Sequence, residues 1–383
     1  MNTVGKNDSP SVMFAVTEDW YFWSHRQSLA AYLQSRGCKI SLATRFNRRK
    51  QDCVEMSITA IDISFERSLR YPFRDVMAMI GLYRAVRELQ PDIVHLVSHK
   101  PIVLGALSLF ACPKTKFIAA FTGMGYLFSS EDHKARWFQH LMVIVLRQIL
   151  RRPNASILVQ NEQDRQLLAK ERIGSVARSI VIPGVGVDTS MFYESEPKFS
   201  DRPLVILAAR LIRDKGILEF VSAAREVHKR GIICRFALVG ALDPDNPAAI
   251  SGSEIDKWLS EGVIEWWGHR EDMPAVYRAA NIVCLPSYRE GFPKVLLEAA
   301  ACGRAIVASD VSGCREICQN GVNGTLVKAR DSNSLANAII ELLSSPERQR
   351  QYGLAGSQIV KRNYSVERIG EQTLELYRSV VDI

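Results

Sequence analysis

From Ser11 onward, short apolar runs alternate with segments of helical periodicity. SVMFAV (11–16) predicts a strand, HRQSLAAYLQSRG (25–37) a helix that Gly37 ends, and KISLAT (39–44) the next strand. The helical pattern RDVMAMIGLYRAVREL (74–89) stops before Pro91, and DIVHLV (92–97) is again strand-like. KFIAAF (116–121) and ASILVQ (155–160) continue the series. Uniformly apolar strands joined by helical crossovers predict an α/β fold with a parallel sheet covered on both faces.

The pattern breaks at SIVIPGVGVDTSMF (179–192), and FYESEPKFSDRP (192–203) is polar, Pro-bearing and aperiodic, the composition of a linker. A second alternating series follows: LVILAA (204–209), a helix from Lys215, RFALVG (235–240), VIEWWG (263–268), NIVCLP (281–286) and AIVASD (305–310). Two doubly wound, Rossmann-like domains are therefore expected, at 1–190 and 200–364. The helix from Ser365 (SVERIGEQTLELYRSV) is expected to pack back on the first domain. Such sheets bind ligands beyond the carboxyl ends of their strands, so two facing domains imply a cleft.

Composition narrows the class. The 383 residues are 47% hydrophobic and 23% charged, which excludes disordered and fibrous chains and suits two or three domains. No apolar run approaches the ~20 residues that span a bilayer; Leu141 to Leu146, the closest, stops at Arg147. The N-terminus MNTVGKNDSP lacks the basic and apolar regions of a signal peptide. The eight cysteines stand singly, mostly within apolar runs, and Cys314/Cys318 has no second pair to complete a zinc site, so a reduced, cytoplasmic protein is expected. The net charge of +8 is uneven: residues 1–190 hold 25 Lys/Arg against 16 Asp/Glu, and the remainder 24 against 25. The first half thus favours an anionic surface, whether phosphate-bearing substrate, nucleic acid or membrane leaflet.

Two segments carry chemistry. Glu290-Gly-Phe-Pro-Lys-Val-Leu-Leu-Glu298 follows a strand and opens a helix, with Pro293 near the first turn and Gly303 past the end. Amides at that N-terminus, reinforced by Lys294, suit an anion. Glu298, one turn on and on the same face, suits ribose hydroxyls beside a phosphate; the plain alternative is an amphipathic helix with an i,i+4 ion pair. In Arg210-Leu-Ile-Arg-Asp-Lys215-Gly216 another strand runs into a helix, and an Arg and a Lys five apart can grip a diphosphate from two sides. Together the two segments describe a nucleoside-diphosphate site.

The Arg-x4-Lys and Glu-x7-Glu pair resembles glycosyltransferase family 4, retaining enzymes of the GT-B fold. AARLIRDKGILEFVSAA, PSYREGFPKVLLEAAACG and SDVSGCREI match it in order, and the resemblance spans essentially the whole chain. WSHRQSLAAYL, FTGMGYLF (121–128), VQNEQDR (159–165) and IPGVGVD (182–188) are similar to a bacterial subgroup that adds sugars to polyprenyl-diphosphate-linked intermediates of O-antigen, capsule or N-linked glycans. The resemblance implies that Arg210 and Lys215 bind the donor diphosphate and offset the charge on departing UDP. It implies that Glu298 holds the ribose, that Glu290 and the turn Gly291, Phe292, Pro293, Lys294, Val295 contact donor sugar and phosphates, and that Gly268 lies at the base. It also implies front-face attack, the leaving phosphate helping to deprotonate the acceptor, with catalysis by positioning and electrostatics.

The sequence departs from the family twice. EDWYFWSH (18–25) stands where many members have a Gly-rich turn, and Thr122-Gly123 where others carry a sugar-contacting His. His25, His99 and Lys100 fall at predicted strand ends and join Thr122 and Gly123 as acceptor-side candidates, each with an ordinary structural role as the alternative. Asp243-Pro-Asp245 matches a metal-binding DxD pattern. Its Pro- and Asn-rich loop makes acidic residues ordinary there, and Arg210 and Lys215 already supply positive charge, so no metal or other cofactor is expected beyond the UDP-sugar donor. In HKARWFQHLMVIVLRQILRR (133–152), Arg136, His140, Arg147 and Arg151 form one stripe opposite Trp137, Leu141, Ile144, Val145 and Ile149. That suits an anionic membrane interface; packing on the sheet with the basic side in water is the alternative. The basic first half and an amphiphilic acceptor favour the membrane.

A nucleic-acid binder would interleave exposed aromatics with its basic residues along a recognition fold, and none is legible. A GT-B-like epimerase shares the architecture, but the paired motifs favour transfer. P-loop chemistry is excluded, since no GxxxxGK[ST] occurs. The expectation is a retaining, metal-independent transferase that moves a hexose or N-acetylhexosamine from UDP to a polyprenyl-diphosphate-linked saccharide, peripheral on the inner face of the membrane. A soluble or different lipid acceptor, or a silent GT-B scaffold, is the alternative.

Overall fold

The computed structural model describes residues 9–66, 72–123, 133–196, 201–244 and 246–381. Two compact units emerge: residues 1–186 with 366–383, and residues 187–365.

The first unit is a seven-stranded parallel sheet of β1 (Ser11–Glu18), β2 (Lys39–Arg45), β3 (Thr59–Asp62), β4 (Ile93–Val97), β5 (Lys116–Ala120), β6 (Ala155–Val159) and β7 (Ser179–Val181), in the order β3-β2-β1-β4-β5-β6-β7. Alternate residues of β1 enter different cores. Met13 and Ala15 pack beneath the helices Pro72–Leu89, His99–Ser108 and His133–Leu150, while Val12, Phe14 and Val16 pack on the opposite face. Burial on both faces is why the strand sequences are apolar throughout rather than alternating.

The second unit repeats the plan with β8 (Leu204–Ala208), β9 (Arg235–Val239), β10 (Glu265–Trp266), β11 (Ile282–Leu285), β12 (Ala305–Ser309) and β13 (Gly324–Val327), in the order β10-β9-β8-β11-β12-β13 and parallel throughout. In each sheet the winding reverses beside the first strand, at β1/β4 and at β8/β11. Such a switch point opens a crevice at the carboxyl ends of the two strands.

The unit boundary falls at Gly186/Val187, ahead of the polar stretch 192–203 that reads as a linker. Val187 N donates to Tyr364 O, so both passages of the chain are paired inside the second unit. Phe192 is buried in that unit's core, and the fully buried Arg304 donates to Ser195 Oγ (3.1 Å), Cys302 O and Ala280 O. Residues 192–195 are therefore part of the second unit. The polarity of the stretch hid this, because its anchors are one aromatic side chain and hydrogen bonds to a distant guanidinium.

The chain returns to the first unit as the helix Val366–Val381, which sets Ile369, Leu374, Leu376 and Tyr377 into the core beneath β1 and β4. Gly370 faces the Tyr32 ring so closely that any Cβ there would overlap it, and Tyr32 O–H donates to Glu371.

The helix His133–Leu150 packs on the sheet through Val143, Leu146, Ile149 and Leu150. Leu141 and Ile144 are exposed, and Arg147 Nε donates to Glu171 O at 2.6 Å. The apolar face expected to lie in a membrane is thus split, with Ile149 in the core; the side chains of Arg136 and Trp137 lie outside the described set. The more exposed apolar stripe belongs to the helix Pro72–Leu89, where Phe73, Val76, Met77 and Ile80 are 75%, 50%, 49% and 38% exposed. Their i, i+3, i+4, i+7 spacing puts them on one face, and the exposed Arg84 and Arg87 continue the line.

Candidate nucleotide-sugar site

Neighbouring strands β8 and β11 carry the two motifs to one place. Arg210 lies two residues beyond β8, and the Glu290 segment follows β11. The intervening turns are locked together: Tyr288 N donates to Asp214 O at 2.9 Å, and Gly216, at φ +72°, presses so closely on the Pro286 carbonyl that no side chain fits. Gly313 approaches the carbonyls of Glu290 and Gly291 just as closely, which fixes the turn from the other side.

Three ion pairs organise the charges. Lys215 Nζ lies 2.6 Å from Glu290 Oε1, Lys294 Nζ 2.9 Å from Glu298 Oε1, and Arg210 Nη1 3.0 Å from Asp243 Oδ2. The Lys215–Glu290 pair is mostly covered, whereas the Arg210 side chain is 45% exposed and can turn toward a ligand. Tyr277 O–H, fully buried, donates to Glu298 Oε2 at 3.0 Å.

The i,i+4 pair of the plain alternative does form, but the helix Lys294–Ala301 is not amphipathic, since Leu296 through Ala301 are all buried. Glu298 itself is only 6% exposed, so its carboxylate is held at the lip of a core rather than on a solvated face. Pro293 occupies the N-cap, and Gly303, at φ +74°, follows the C-cap. Phe292 is buried with its ring 5.4 Å from Tyr364, and Val295 packs against the same core. These two side chains shape the turn from beneath. Gly268, at φ +65°, accepts from Gly240 N at 2.8 Å, and a Cβ there would meet nothing.

Asp243 is the carboxylate partner of Arg210, and Asp245 lies outside the described residues. Among the described residues no cluster of three His, Cys, Asp or Glu side chains has the arrangement of a metal site. All eight cysteines are free and buried; burial raises the Cys302 and Cys318 thiols to about 12.

In the first unit His99, Lys100, Thr122 and Gly123 stand just beyond the ends of β4 and β5, whereas His25, expected at a strand end, closes the helix Asp19–His25 instead, because EDWYFWSH after β1 winds into a helix. Thr122, beyond β5, places Oγ1 3.2 Å from Ser98 Oγ, beyond β4. Ser98 holds φ +73°, a strained value for a residue with a Cβ, and Gly123 follows at φ +136°. Lys100 pairs with Asp75 at 2.7 Å, and the His99 ring stands edge-on to Phe121. Desolvation lowers the His99 pKa to about 4, so near neutral pH it offers a hydrogen-bonding imidazole rather than a cation. His25 stacks on Tyr21 at 4.4 Å, with Nδ1 2.6 Å from Ser24 Oγ.

Sequence reasoning missed Tyr277, Asp243 as a charge partner, Asp75 and Ser98. Tyr277, Asp75 and Ser98 belong to no motif, and Asp243 stands in the DxD pattern, whose spacing does not point to Arg210 as its partner. Tyr277 and Asp75 lie in ordinary helical patterns, and nothing local marks Ser98 for a positive φ.

Two parallel doubly wound sheets, one with paired basic and acidic motifs at its switch point, define the class: an enzyme of GT-B architecture. Residues 11–154 match the family model described as glycosyl transferase 4-like, and residues 202–345 that described as glycosyl transferases group 1. The chain belongs to these glycosyltransferases.

It is 26% identical over 369 residues to the N,N'-diacetylbacillosaminyl-diphospho-undecaprenol alpha-1,3-N-acetylgalactosaminyltransferase of Campylobacter jejuni, covering 93% of this chain and 95% of that one. It is 25% identical over 283 residues to the UDP-Gal:alpha-D-GlcNAc-diphosphoundecaprenol alpha-1,3-galactosyltransferase of Escherichia coli, covering 70% of each. Sucrose-phosphate synthase from Thermosynechococcus elongatus shares the fold with a TM-score of 0.80 at 19% identity, over 97% of this chain and 99% of that one.

Proposed function

We propose that this glycosyltransferase moves a hexose or N-acetylhexosamine from a UDP-sugar, with retention and without a metal, to a polyprenyl-diphosphate-linked saccharide in bacterial glycan assembly. The carrying observation is the Lys215–Glu290 ion pair, which joins the turn after β8, where Arg210 also stands, to the turn after the adjacent β11 that opens the helix of Glu298. The acceptor class is supported by the two relatives whose names specify diphospho-undecaprenol-linked sugars. Arg210 and Lys215 would hold the diphosphate, Arg210 leaving Asp243 to do so, and their charge would offset that gathering on UDP. As the bond from the anomeric carbon to the phosphate oxygen breaks, the acceptor oxygen bonds the same face of that carbon. The acceptor proton passes to the leaving phosphate, so no separate base is required. Fixed cations suit such a step because their orientation is settled before charge develops.

The test is transfer of label. Labelled UDP-sugars are offered with bacterial membranes bearing lipid-linked precursors, and label is counted in the organic phase, with Glu298→Ala as blank. One donor should label the lipid fraction with wild type and not with the variant, and calorimetry should show UDP affinity lowered by at least about tenfold, the loss of one or two hydrogen bonds to a charged group. UDP bound by wild type without any lipid labelling would overturn the acceptor assignment. Unchanged UDP affinity in Glu298→Ala would overturn the ribose contact.

The proposed site of action is the inner face of the membrane, reached peripherally. No described helix is long and apolar enough to cross a bilayer. The stripe Phe73, Val76, Met77, Ile80, extended by Arg84 and Arg87, has the hydrophobic and cationic character of an interfacial helix, and the surplus of basic residues in 1–190 adds attraction to anionic lipid. Wild type should sediment with vesicles of phosphatidylglycerol and not with phosphatidylcholine alone. Phe73→Ser with Met77→Ser should lower that binding about tenfold or more, given ~1.5–3 kcal/mol per large apolar side chain buried. Equal binding by the double variant would move the contact elsewhere.

A further inference from the structure

Glu298 presents an unusual carboxylate. It is 6% exposed, and each oxygen already accepts from a partner in the protein: Oε1 from Lys294 Nζ at 2.9 Å, Oε2 from Tyr277 O–H at 3.0 Å. An ionised carboxylate has about four lone-pair sites, so two donors leave two acceptor positions, one on each oxygen. A vicinal diol offers two donors at matching separation.

The two partners differ in kind. Lys294 stands in the first turn of the helix that carries Glu298, with its side chain 30% exposed and its ammonium on a flexible stem. Tyr277 comes from a different helix, Met273–Ala279, is fully buried, and is wedged among Phe192 and the core beneath β8 and β11. Its ring cannot turn without opening that core. Burial and the neighbouring carboxylate push its phenol far above the usual range, so it keeps its proton and always donates.

We propose that Tyr277 is a positioning residue that fixes the rotation of the Glu298 carboxylate and thereby sets selection of a ribose diol over a deoxygenated sugar in the bound nucleotide. This rests on the reading of Glu298 as the ribose acceptor. Without the phenol, the carboxylate pivots toward Lys294 and its free lone pairs no longer face both hydroxyls together. The nucleotide's phosphates, held elsewhere, are untouched. A preference between two hydroxyl patterns is what a site of buried, pre-placed acceptors enforces, because the analogue lacking the donors leaves them unpaired.

The experiment measures binding of UDP and of 2′,3′-dideoxyuridine diphosphate by calorimetry to wild type and to Tyr277→Phe, with circular dichroism and melting as controls. Wild type should prefer UDP by at least about tenfold, the scale of losing hydrogen bonds to a charged group. Tyr277→Phe should lose most of that preference through weaker UDP binding, while the dideoxy nucleotide binds within about twofold of wild type.

Equal loss for both nucleotides would mark a structural role only and overturn the proposal, as would a retained preference. No preference in wild type would overturn the ribose reading and the role of Tyr277 with it. If Tyr277→Phe does not fold, 4-aminophenylalanine at position 277 carries the test. Its weaker N–H donor in the same place should reduce the preference severalfold, and an undiminished preference would overturn the proposal.

Discussion

Arg210→Ala is expected to lower kcat by two to three orders of magnitude while UDP affinity falls by less than about tenfold, and Lys215→Ala to do the same. The asymmetry follows from when the charge appears. In the bound donor the diphosphate charge is shared with the sugar ester; as the glycosidic bond breaks, a full additional negative charge develops on the leaving oxygen. A cation held there is worth more in the transition state than in the ground state, and that difference alone accelerates the reaction. The two variants differ in their side effects. Arg210 is 45% exposed, so its loss should leave folding nearly unchanged. Lys215 neutralises Glu290, whose side chain is only 10% exposed, and its removal strands a covered carboxylate. Lys215→Ala should therefore also melt earlier than wild type. Kinetics with the identified donor, calorimetry with UDP and thermal melts separate these effects. Wild-type turnover in either variant would remove that residue from the mechanism.

A chain ending at Ser365 is expected not to fold its first unit. The helix Val366–Val381 contributes Ile369, Leu374, Leu376 and Tyr377, each at most 4% exposed, to the core beneath β1 and β4. At ~1.5–3 kcal/mol per buried side chain, their loss costs about 6–12 kcal/mol, comparable with the whole stability of a typical domain. Further losses follow, because His95 Nδ1 would lose Tyr377 as its hydrogen-bond partner at 2.7 Å and the helix Gln27–Ser35 would lose its cover. Limited proteolysis should cut residues 1–186 rapidly while 187–365 resists. Equal resistance in both units would show that this helix is an accessory to the first sheet.

Much of the architecture is legible because burial on two faces makes strands read as uninterrupted apolar runs, while crossover helices keep their period. That logic weakens at the sheet edges. β3, with Thr59 and Asp62 exposed, and the half-buried β7 and β13 show no decisive pattern, and the strand read at VIEWWG (263–268) shrinks to the two-residue β10. Their strand character comes from a neighbour's hydrogen bonds rather than from their own side chains.

The candidate donor site divides in the same way. Arg210, Lys215, Glu290 and Glu298 are visible because spacing across a strand-to-helix turn is a local property, and a local sequence contains it whole. That the two turns are neighbours was decided by sheet order, which sets β8 beside β11 across residues 209–281, with β9, β10 and their helices. Only packing brought Tyr277 to Glu298, Asp243 to Arg210 and Asp75 to Lys100, since such partners are chosen by proximity in space. Amphipathicity, too, was readable in the helices Pro72–Leu89 and His133–Leu150, yet sequence could not say which apolar residues the sheet would cover. The covered set depends on how many neighbouring helices share the sheet face. Periodicity and motif spacing are short-range and written in the chain; partner, exposure and order are set by the close packing of segments distant along it.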